Sequence, residues 1–189
     1  MSLLPTGFSP DKEDQVMVNG FSYHPAFLSS DEQTTLLGEL ATLRFRQDTF
    51  RGIPMRRTIV CYGSDYDAQR HSARNPAPPI PAYLVPIRDR AAAVAGVDAG
   101  TLTQAIIWRY PAKIGIGWHV DNPAYGPVIC GLSLAAAAVM KLKRAAERHR
   151  YELAPGSLYV LRDEARYDWM HSVDGNRDDR YSITFRSMR

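Results

Sequence analysis

Two histidines and one aspartate are the residues of this chain whose types and order suggest metal chemistry. His119 and Asp121 are two positions apart, so their side chains share one face if the segment is a strand. His171 follows in a later β-like segment and would complete the set from a neighbouring strand. Two imidazoles and one carboxylate can hold a divalent iron on one face and leave the other open for substrates. The sequence therefore predicts an iron site.

The His-x-Asp pair alone is weak support for such a site. In a chain with five His and fourteen Asp, about 0.4 such pairs arise by chance. The alternative is a surface histidine beside an aspartate in a turn. Further residues must therefore separate the two interpretations.

The closing segment of the chain supplies such residues, because polar and apolar side chains alternate over residues 180–186. The polar set is Arg180, Ser182, Thr184 and Arg186, and the apolar set is Tyr181, Ile183 and Phe185. An amphipathic edge strand with its polar face in water would show the same alternation. If the polar face points inward, two buried arginines need carboxylate partners. A dicarboxylate cosubstrate would satisfy them, because arginine binds a carboxylate through two parallel hydrogen bonds.

Tyr110 is a further candidate for the same site. It ends a β-like run over residues 106–110 and precedes His119 by nine residues. Its hydroxyl could reach the carboxylate of the cosubstrate. A buried aromatic side chain without such a role is the commoner fate of a strand tyrosine, so the residues alone leave both interpretations open.

The elements that would position these residues divide the chain into a helical first part and a β-rich second part. Apolar residues at helical spacing predict helices over 31–43 and 82–95. A capping box from Ser30 to Gln33 opens the first helix, and Gly96 ends the second. Runs rich in β-branched and aromatic residues predict strands. They are 58–62, 102–110, 116–121, 128–134, 138–143, 150–154, 157–161, 168–173 and 180–186.

The eight short strands from residue 102 on, without intervening helices, predict a double-stranded β-helix, the jelly-roll type of closure. The expected fold class is α+β, with the N-terminal helices packed on one sheet. A chain of 189 residues suits a single domain. We expect a flexible tail over 1–15, an N-terminal helical or recognition extension over 16–100 and the jelly-roll core over 101–189. The proline-rich segment 63–81 is either a surface excursion or a lid over a binding site.

Composition narrows the class of protein. A hydrophobic fraction of 45% and a charged fraction of 23% are typical of soluble globular proteins. The polar N-terminus and the short apolar window at 128–140 predict a cytoplasmic protein with no signal peptide and no membrane span. A pI near 8.9 permits a polyanionic partner without requiring one. Cys61 and Cys130 are too few for a disulfide framework, so we expect two reduced thiols.

Several short motifs follow one another along the chain. They are Phe27-Leu28-Ser29, Arg56-Arg57-Thr58, Trp108-Arg109-Tyr110, His119-Val120-Asp121, Leu132-Ser133-Leu134, Pro155-Gly156-Ser157-Leu158 and the runs 165–171 and 180–186. In order and spacing they resemble the AlkB family of iron(II)/2-oxoglutarate dioxygenases. The resemblance is strong over about 101–189 and weaker from about residue 20. It implies a single dioxygenase domain that uses iron(II), 2-oxoglutarate and O2.

The resemblance also implies roles for individual residues. His119, Asp121 and His171 fall on the metal ligands of the family. Arg180 falls on the clamp for the distal carboxylate of 2-oxoglutarate, with Tyr110 assisting.

Three further positions concern the cosubstrate. Arg186 falls on the second arginine of the family, near the metal-bound end of 2-oxoglutarate. Trp108 and Ser182 stand where many members have asparagines that contact the cosubstrate. We therefore expect 2-oxoglutarate to bind beside both residues, with fewer direct hydrogen bonds.

By the same resemblance, the expected reaction is oxidative dealkylation or hydroxylation of alkylated DNA or RNA, of the repair type, by a monomeric enzyme. The repair enzymes carry an acid two residues after the Asp ligand, where it recognises the methylated base; here that residue is Pro123. The run from Asp121 to Tyr125 is closer to the branch that acts on tRNA wobble uridines. The alternatives are therefore a tRNA wobble-uridine hydroxylase, a protein side-chain hydroxylase or, outside enzymes, a non-catalytic jelly-roll ligand-binding module.

A nucleobase substrate would be single-stranded or flipped out, stacked on an aromatic ring and flanked by basic side chains. The stacking candidates are Tyr62, Tyr66 and Trp118. The phosphate-binding candidates are Arg56, Arg57, Arg70, Arg74, Lys141, Lys143 and Arg144. The alternative for each is an ordinary core or surface aromatic, or a solvated charge.

Overall fold

The computed structural model describes residues 17–50, 52–67 and 72–188, without the side chains of 65–67 and 72–76. The predicted tail over 1–15 lies outside these ranges. The helices are α1 (Ser30–Ala41), α2 (Val85–Ala95) and α3 (Asp163–Tyr167), with a 3-10 turn at Ala99–Thr101. The strands are β1 (Phe21–His24), β2 (Arg46–Phe50), β3 (Ile53–Tyr62), β4 (Ser64–Asp67), β5 (Ser72–Pro76), β6 (Gln104–Tyr110), β7 (Ile116–His119), β8 (Tyr125–Leu134), β9 (Ala138–Arg144), β10 (Glu147–Leu153), β11 (Leu158–Leu161), β12 (Met170–Val173) and β13 (Arg180–Met188).

Two antiparallel sheets face each other across the core. The larger sheet has the strand order β1-β11-β8-β13-β6-β3-β2, and the smaller has the order β10-β9-β12-β7. Apolar side chains of both sheets fill the space between them, among them Ile129 and Tyr159 from the larger sheet and Met140 and Leu142 from the smaller. This arrangement is the predicted jelly roll.

The closing strand β13 lies in the middle of the larger sheet, hydrogen-bonded to β8 on one side and β6 on the other. Its apolar residues Ile183 and Phe185 pack toward the helices. Its polar residues, from Arg180 to Arg186, face the smaller sheet and are all buried. The alternative of an edge strand with its polar face in water is therefore wrong.

Helices α1 and α2 cover the outer face of the larger sheet, as predicted. Leu36 and Leu40 of α1 join Ile87 and Ala91 of α2 in one buried cluster with that sheet. The capping box lies one residue before its predicted position. Ser29 accepts a hydrogen bond from the Glu32 amide, and the Glu32 carboxylate accepts one from the Ser29 amide. A carboxylate is a stronger acceptor than the Gln33 amide, which explains the shift.

The end of α2 follows the prediction. Gly96 takes the left-handed conformation, with φ of 67°, and closes the last turn of the helix. Pro86 lies in the first turn, where no backbone donor is needed.

Several elements were not predicted. The segment 63–81 contains the β4–β5 hairpin rather than an irregular loop. Strand β2 has a largely polar sequence and gains its strand conformation by pairing with β3. Helix α3 has a single turn, of which only Ala165 and Arg166 are buried, and it is too short for a periodic pattern to show.

Gly63 joins β3 to β4 where no other residue fits easily. Its φ is +79°, and a Cβ there would lie 1.9 Å from the Thr103 carbonyl oxygen. Glycine alone adopts this conformation without strain and leaves room for the adjacent backbone. The position fixes where β3 ends.

Cys61 and Cys130 are both buried, and neither forms a disulfide among the described residues. Burial raises the pKa of Cys130 to about 12, so its thiol is protonated at neutral pH. None of the described helices is both long enough and apolar enough to cross a membrane.

Candidate metal centre and cosubstrate cavity

His119, Asp121 and His171 converge between the two sheets. One potential ligand atom from each lies within 4.8 Å of the others. The two histidines are directly opposite each other on β7 and β12, and their ring centres are 4.2 Å apart. His171 Nε2 is 3.5 Å from Asp121 Oδ2. We call these three residues the triad.

An irregularity in the pairing of β7 with β12 determines where the His119 side chain points. His119 pairs with His171, and Ile116 pairs with Val173, so β7 carries one residue more than β12 between the two pairs. Such a bulge turns side chains that regular alternation would place on opposite faces. Ile116 and His119 therefore both point inward. Asp121 lies just beyond the end of β7, not within it as the predicted strand 116–121 implied.

The protonation of the triad suits a metal ion. His119 Nδ1 lies 2.8 Å from the Gly117 carbonyl oxygen. A carbonyl only accepts, so Nδ1 carries the proton and Nε2 keeps a free lone pair. Burial lowers the pKa of His119 and lowers that of His171 to about 4, against the opposing effect of Asp121. Both imidazoles are therefore neutral at neutral pH, the form that binds metals.

Asp121 is charged in the same environment. Burial acts to raise its pKa, but Arg186, followed by His171 and His119, outweighs that effect and holds the pKa at about 2. Arg186 Nη2 lies 3.5 Å from Asp121 Oδ1. Two neutral imidazoles and one carboxylate are a donor set that fits iron(II).

Arg166 holds the chain that carries Asp121. It is 1% exposed. Its Nη1 donates to the Asp121 carbonyl at 3.0 Å and its Nη2 to the Asn122 carbonyl at 2.7 Å. In the sequence, Arg166 lies within the motif run 165–171, and no role was predicted for it. Most arginines are exposed, and a single sequence does not show which one is buried. The role of Arg166 was therefore not predictable.

Arg166→Met is expected to weaken metal binding about 10- to 100-fold, the usual effect of removing a group that orients a ligand. The reason is that Asp121 loses the clamp on its own carbonyl. Calorimetric titration with Mn(II) or Co(II) would measure the change. Arg162→Met is the matched control, since the Arg162 side chain is 52% exposed one turn earlier. Unchanged metal affinity in Arg166→Met would contradict the positioning role.

A small inner cavity of about 50 Å³ opens beside the triad, between the two sheets. His119 and Asp121 line both this cavity and a larger, open cleft, and the two spaces also share Trp108, Ile116 and Arg186. Its walls also include Tyr110, Tyr159, Arg180 and Ser182. We call this space the inner cavity.

Arg180 is the charged group of the inner cavity. It is 3% exposed, and its Nε donates to the Ser133 hydroxyl at 3.0 Å. Among the described residues no carboxylate lies within ion-pair distance of Arg180. Burial lowers its pKa, because the cation has lost its water. A buried arginine in this state is well suited to receive an anion from outside the chain.

The other predicted cosubstrate residues lie around Arg180. Tyr110 is directly opposite it on β6, and Trp108 is opposite Ser182. The Arg180 guanidinium lies 5.4 Å from the centre of the Tyr110 ring. The structure thus brings Trp108, Tyr110, Arg180, Ser182 and Arg186 to one cavity. Their individual roles stay predictions.

Tyr159 was not predicted as a site residue. Its ring lies across Gly131 of the neighbouring strand, where a Cβ would be 2.1 Å from the ring. Burial raises the pKa of Tyr159 to about 12, so its hydroxyl stays a hydrogen-bond donor. A glycine opposite a tyrosine on paired strands is the signal that could have indicated this contact.

An open cleft of about 560 Å³ lies on the other side of the triad. It is bounded by the end of the β2–β3 hairpin and residues 113–122, and we call it the outer cleft. Three predicted substrate residues line it: Arg56, Arg57 and Trp118. The Trp118 side chain is 38% exposed, and Lys143 Nζ lies 4.3 Å from its ring centre.

Other predicted substrate residues lie elsewhere. Tyr62 packs with the cluster under α1 and α2, on the opposite face of the larger sheet from the triad. Strand alternation turns Tyr62 away from the outer cleft, so it does not lie where a base could stack on it. Lys141 pairs with Asp174 and Arg144 with Glu164.

Three candidates cannot be placed at the cleft. Arg70 lies outside the described residues. Tyr66 and Arg74 belong to β4 and β5, and their side chains lie outside the described part of the chain.

Comparison with protein families gives a match over most of the chain. The sequence model of the 2OG-Fe(II) oxygenase superfamily matches residues 20–186. Alpha-ketoglutarate-dependent dioxygenase alkB homolog 7, mitochondrial, from Mus musculus is 34% identical over 157 residues, covering 79% of this chain and 65% of that protein. Alkylated DNA repair protein ALKBH8 homolog from Arabidopsis thaliana is 22% identical over 193 residues, covering 89% and 54%. The chain therefore spans less than two thirds of these relatives. The predicted resemblance to AlkB proteins is confirmed.

Solved structures share the fold. The structure of OsALKBH1 superposes with a TM-score of 0.71 and 17% identity, covering 92% of this chain and 100% of that one. A prolyl hydroxylase from Trichoplax adhaerens, in complex with a hypoxia inducible factor peptide fragment, gives a TM-score of 0.64 and 16% identity, covering 90% and 84%. At such identities the likeness concerns the fold alone, and the predicted jelly roll is confirmed.

Proposed function

This chain belongs to the 2OG-Fe(II) oxygenase superfamily, and we propose that it is an iron(II)- and 2-oxoglutarate-dependent dioxygenase that oxidises alkylated nucleic acid. The observation that carries the proposal is the position of the triad. It lies between an inner cavity, where a buried arginine has no carboxylate among the described residues, and an open, basic outer cleft. The inner cavity presents a buried cation to a carboxylate, and the outer cleft suits a large anionic substrate.

The chemistry supplied by iron(II), 2-oxoglutarate and O2 is hydroxylation of a C–H bond with conversion of 2-oxoglutarate to succinate and CO2. On an N-methyl group, the hydroxymethyl product releases formaldehyde and leaves an N–H. His119, Asp121 and His171 would hold the iron, because their donor atoms converge and carry the right protonation. These cofactors are those of the superfamily and agree with the prediction.

The side chains of the inner cavity would bind and orient the cosubstrate. Arg180 offers its guanidinium to the far carboxylate, in a space from which Tyr110 and Tyr159 exclude water. A charge-assisted hydrogen bond is stronger in such a dry cavity than at the surface. Arg186 keeps Asp121 ionised and fixes its direction.

The outer cleft supports a nucleic-acid substrate. Arg56, Arg57 and Lys113 are among the residues that line it, and Asp121 is the sole carboxylate of the described lining. The exposed ring of Trp118, next to Lys143, is a surface on which a base can stack. One relative is named as an alkylated DNA repair protein. A basic cleft with an exposed aromatic ring favours nucleic acid over a protein side chain.

An assay of succinate release would test this proposal. The substrates are methylated single-stranded DNA, duplex DNA and tRNA, with a peptide pool and unmodified oligomers as comparisons. We expect iron- and 2-oxoglutarate-dependent succinate, with formaldehyde, to rise with at least one methylated nucleic acid. His171→Ala should abolish the signal. The assay can also expose the alternatives. Stimulation by peptides alone would favour a protein hydroxylase, and no turnover despite metal binding would favour a non-catalytic module.

The predicted division of the chain, its cytoplasmic localisation and its monomeric state stay predictions. A wobble-uridine hydroxylase belongs to the same reaction class, since it also inserts oxygen into a C–H bond of a nucleoside. It would give succinate with tRNA and no formaldehyde, which separates it from dealkylation in the same assay.

A further inference from the structure

We infer that the base oxidised by this chain is uncharged and presents a carbonyl oxygen, and that Arg57 selects it. The inference rests on the proposed action on nucleic acid and names the class of base. It is carried by the position of Arg57, by its unsatisfied hydrogen-bond donor among the described residues and by the charge balance of the outer cleft.

Arg57 forms part of the cleft wall beside the triad. It lies on β3, and its guanidinium carbon is 4.5 Å from the centre of the Trp108 ring and 5.9 Å from that of Tyr110. Trp108 and Tyr110 also border the inner cavity. Its cation is therefore held by two aromatic faces near the metal site.

One polar atom of Arg57 is left without a hydrogen-bond partner within the described chain. Its Nε is buried and has no hydrogen-bond partner there. No carboxylate of the described residues forms an ion pair with Arg57. Arg57 lines the outer cleft, so an acceptor that enters the cleft would gain a charge-assisted hydrogen bond from its guanidinium. A carbonyl oxygen of the substrate is such an acceptor.

The rest of the cleft has the same sign of charge. Arg56 and Lys113 add positive charge to the lining. The carboxylate of Asp121 already faces Arg186 and is directed at the metal site, which would hold a further cation. A positively charged base would therefore be repelled by the basic side chains of the outer cleft. The described lining offers no second carboxylate to offset that repulsion.

Two methylated pyrimidines distinguish these cases because they have nearly the same shape. Methylation of cytosine at N3 gives a cation with an amino group at position 4. Methylation of uracil at N3 gives a neutral ring with a carbonyl oxygen at position 4. Both rings carry a carbonyl oxygen at position 2, but at position 4 only the second ring offers Arg57 an acceptor in place of a donor. We therefore expect 3-methyluracil to be favoured over 3-methylcytosine.

The experiment compares two single-stranded RNA oligomers that differ only in carrying 3-methyluridine or 3-methylcytidine. Binding is measured by fluorescence anisotropy on the whole chain loaded with Mn(II) and 2-oxoglutarate without O2, so that no turnover occurs. We expect the 3-methyluridine oligomer to bind about tenfold tighter or more. Formaldehyde release by the iron-loaded enzyme should follow the same preference.

Variants of Arg57 test whether this residue makes the choice. Arg57→Met keeps apolar packing against Trp108 but removes the charge, and the ratio of the two affinities should fall to about one. Arg57→Gln is the second variant if the first is unstable. Arg88→Met is the matched control, because Arg88 lies on α2 and pairs with Asp89. It should keep the wild-type ratio.

The outcomes separate the inference from the function on which it rests. Equal or tighter binding of the 3-methylcytidine oligomer would overturn the inference and leave action on nucleic acid standing. A preference that survives in both Arg57 variants would overturn the role of Arg57. If neither oligomer binds, the nucleic-acid proposal fails, and the inference fails with it.

Discussion

Arg180→Met is expected to weaken 2-oxoglutarate binding at least about 100-fold while sparing metal binding. Arg180 is buried, and among the described residues it has no carboxylate partner. The cosubstrate would therefore supply the anion that this charge lacks. Without the guanidinium, the far carboxylate would be buried without a counter-charge, which is the most costly way to break such a pair. Titration calorimetry of Mn(II)-loaded protein with 2-oxoglutarate would measure the loss.

The same variant should not be less stable in the absence of cosubstrate. A buried cation without an anion costs free energy in the wild type, and methionine of similar length removes that cost. Thermal unfolding should show an equal or higher midpoint for the free variant, and no further rise on adding 2-oxoglutarate. Arg109→Met is the matched control. Arg109 lies one residue before Tyr110 but points outward to Asp179. Unchanged cosubstrate affinity in Arg180→Met would show that Arg180 is structural.

Much of the jelly roll was predictable because its strands carry local signals. The β-branched run 58–62 predicted the second half of β3, and the alternating run 180–186 predicted most of β13. Strand β2 was not predictable, because its polar sequence becomes a strand only when it pairs with β3. The short helix α3 depends in the same way on its surroundings. Local propensity does not predict elements that form only through tertiary contacts.

The residues of the triad were predictable from their types and order in the sequence. The geometry that brings them together was not. His119 and Asp121 were expected to converge through simple alternation along one strand. In the structure a bulge in β7 turns His119 inward, and Asp121 lies beyond the strand, where Arg166 holds its backbone. Neither the bulge nor the buried arginine follows a local pattern. Both arise from contacts between segments far apart in the sequence.

Residues of the outer cleft were the hardest to predict. An aromatic or basic residue on a strand can face the core, the cleft or water, and a shift of one position decides which. Tyr62 and Arg57 both lie on β3, yet Tyr62 packs with the helices and Arg57 lines the outer cleft. The same sheet thus places Arg57 in the cleft and Tyr62 under the helices.

Asp121→Asn is expected to weaken metal binding at least about 100-fold, more than the loss expected for Arg166→Met. An asparagine keeps the shape of the side chain but removes the negative charge. The two neutral imidazoles that remain cannot balance a divalent ion, and the nearby charge of Arg186 then opposes it. Titration with Mn(II) or Co(II) would measure the affinity, and circular dichroism would confirm the fold.

The choice of control separates loss of a ligand from general loss of charge. Asp89→Asn makes the same change on α2, where the Asp89 side chain is 47% exposed and pairs with Arg88. Its metal affinity should equal that of the wild type. If Asp121→Asn also kept its affinity, the metal would have to bind elsewhere, and the triad could not be the metal site. A selective loss in Asp121→Asn would instead link the carboxylate held by Arg186 directly to the metal, because the two variants carry the same net charge.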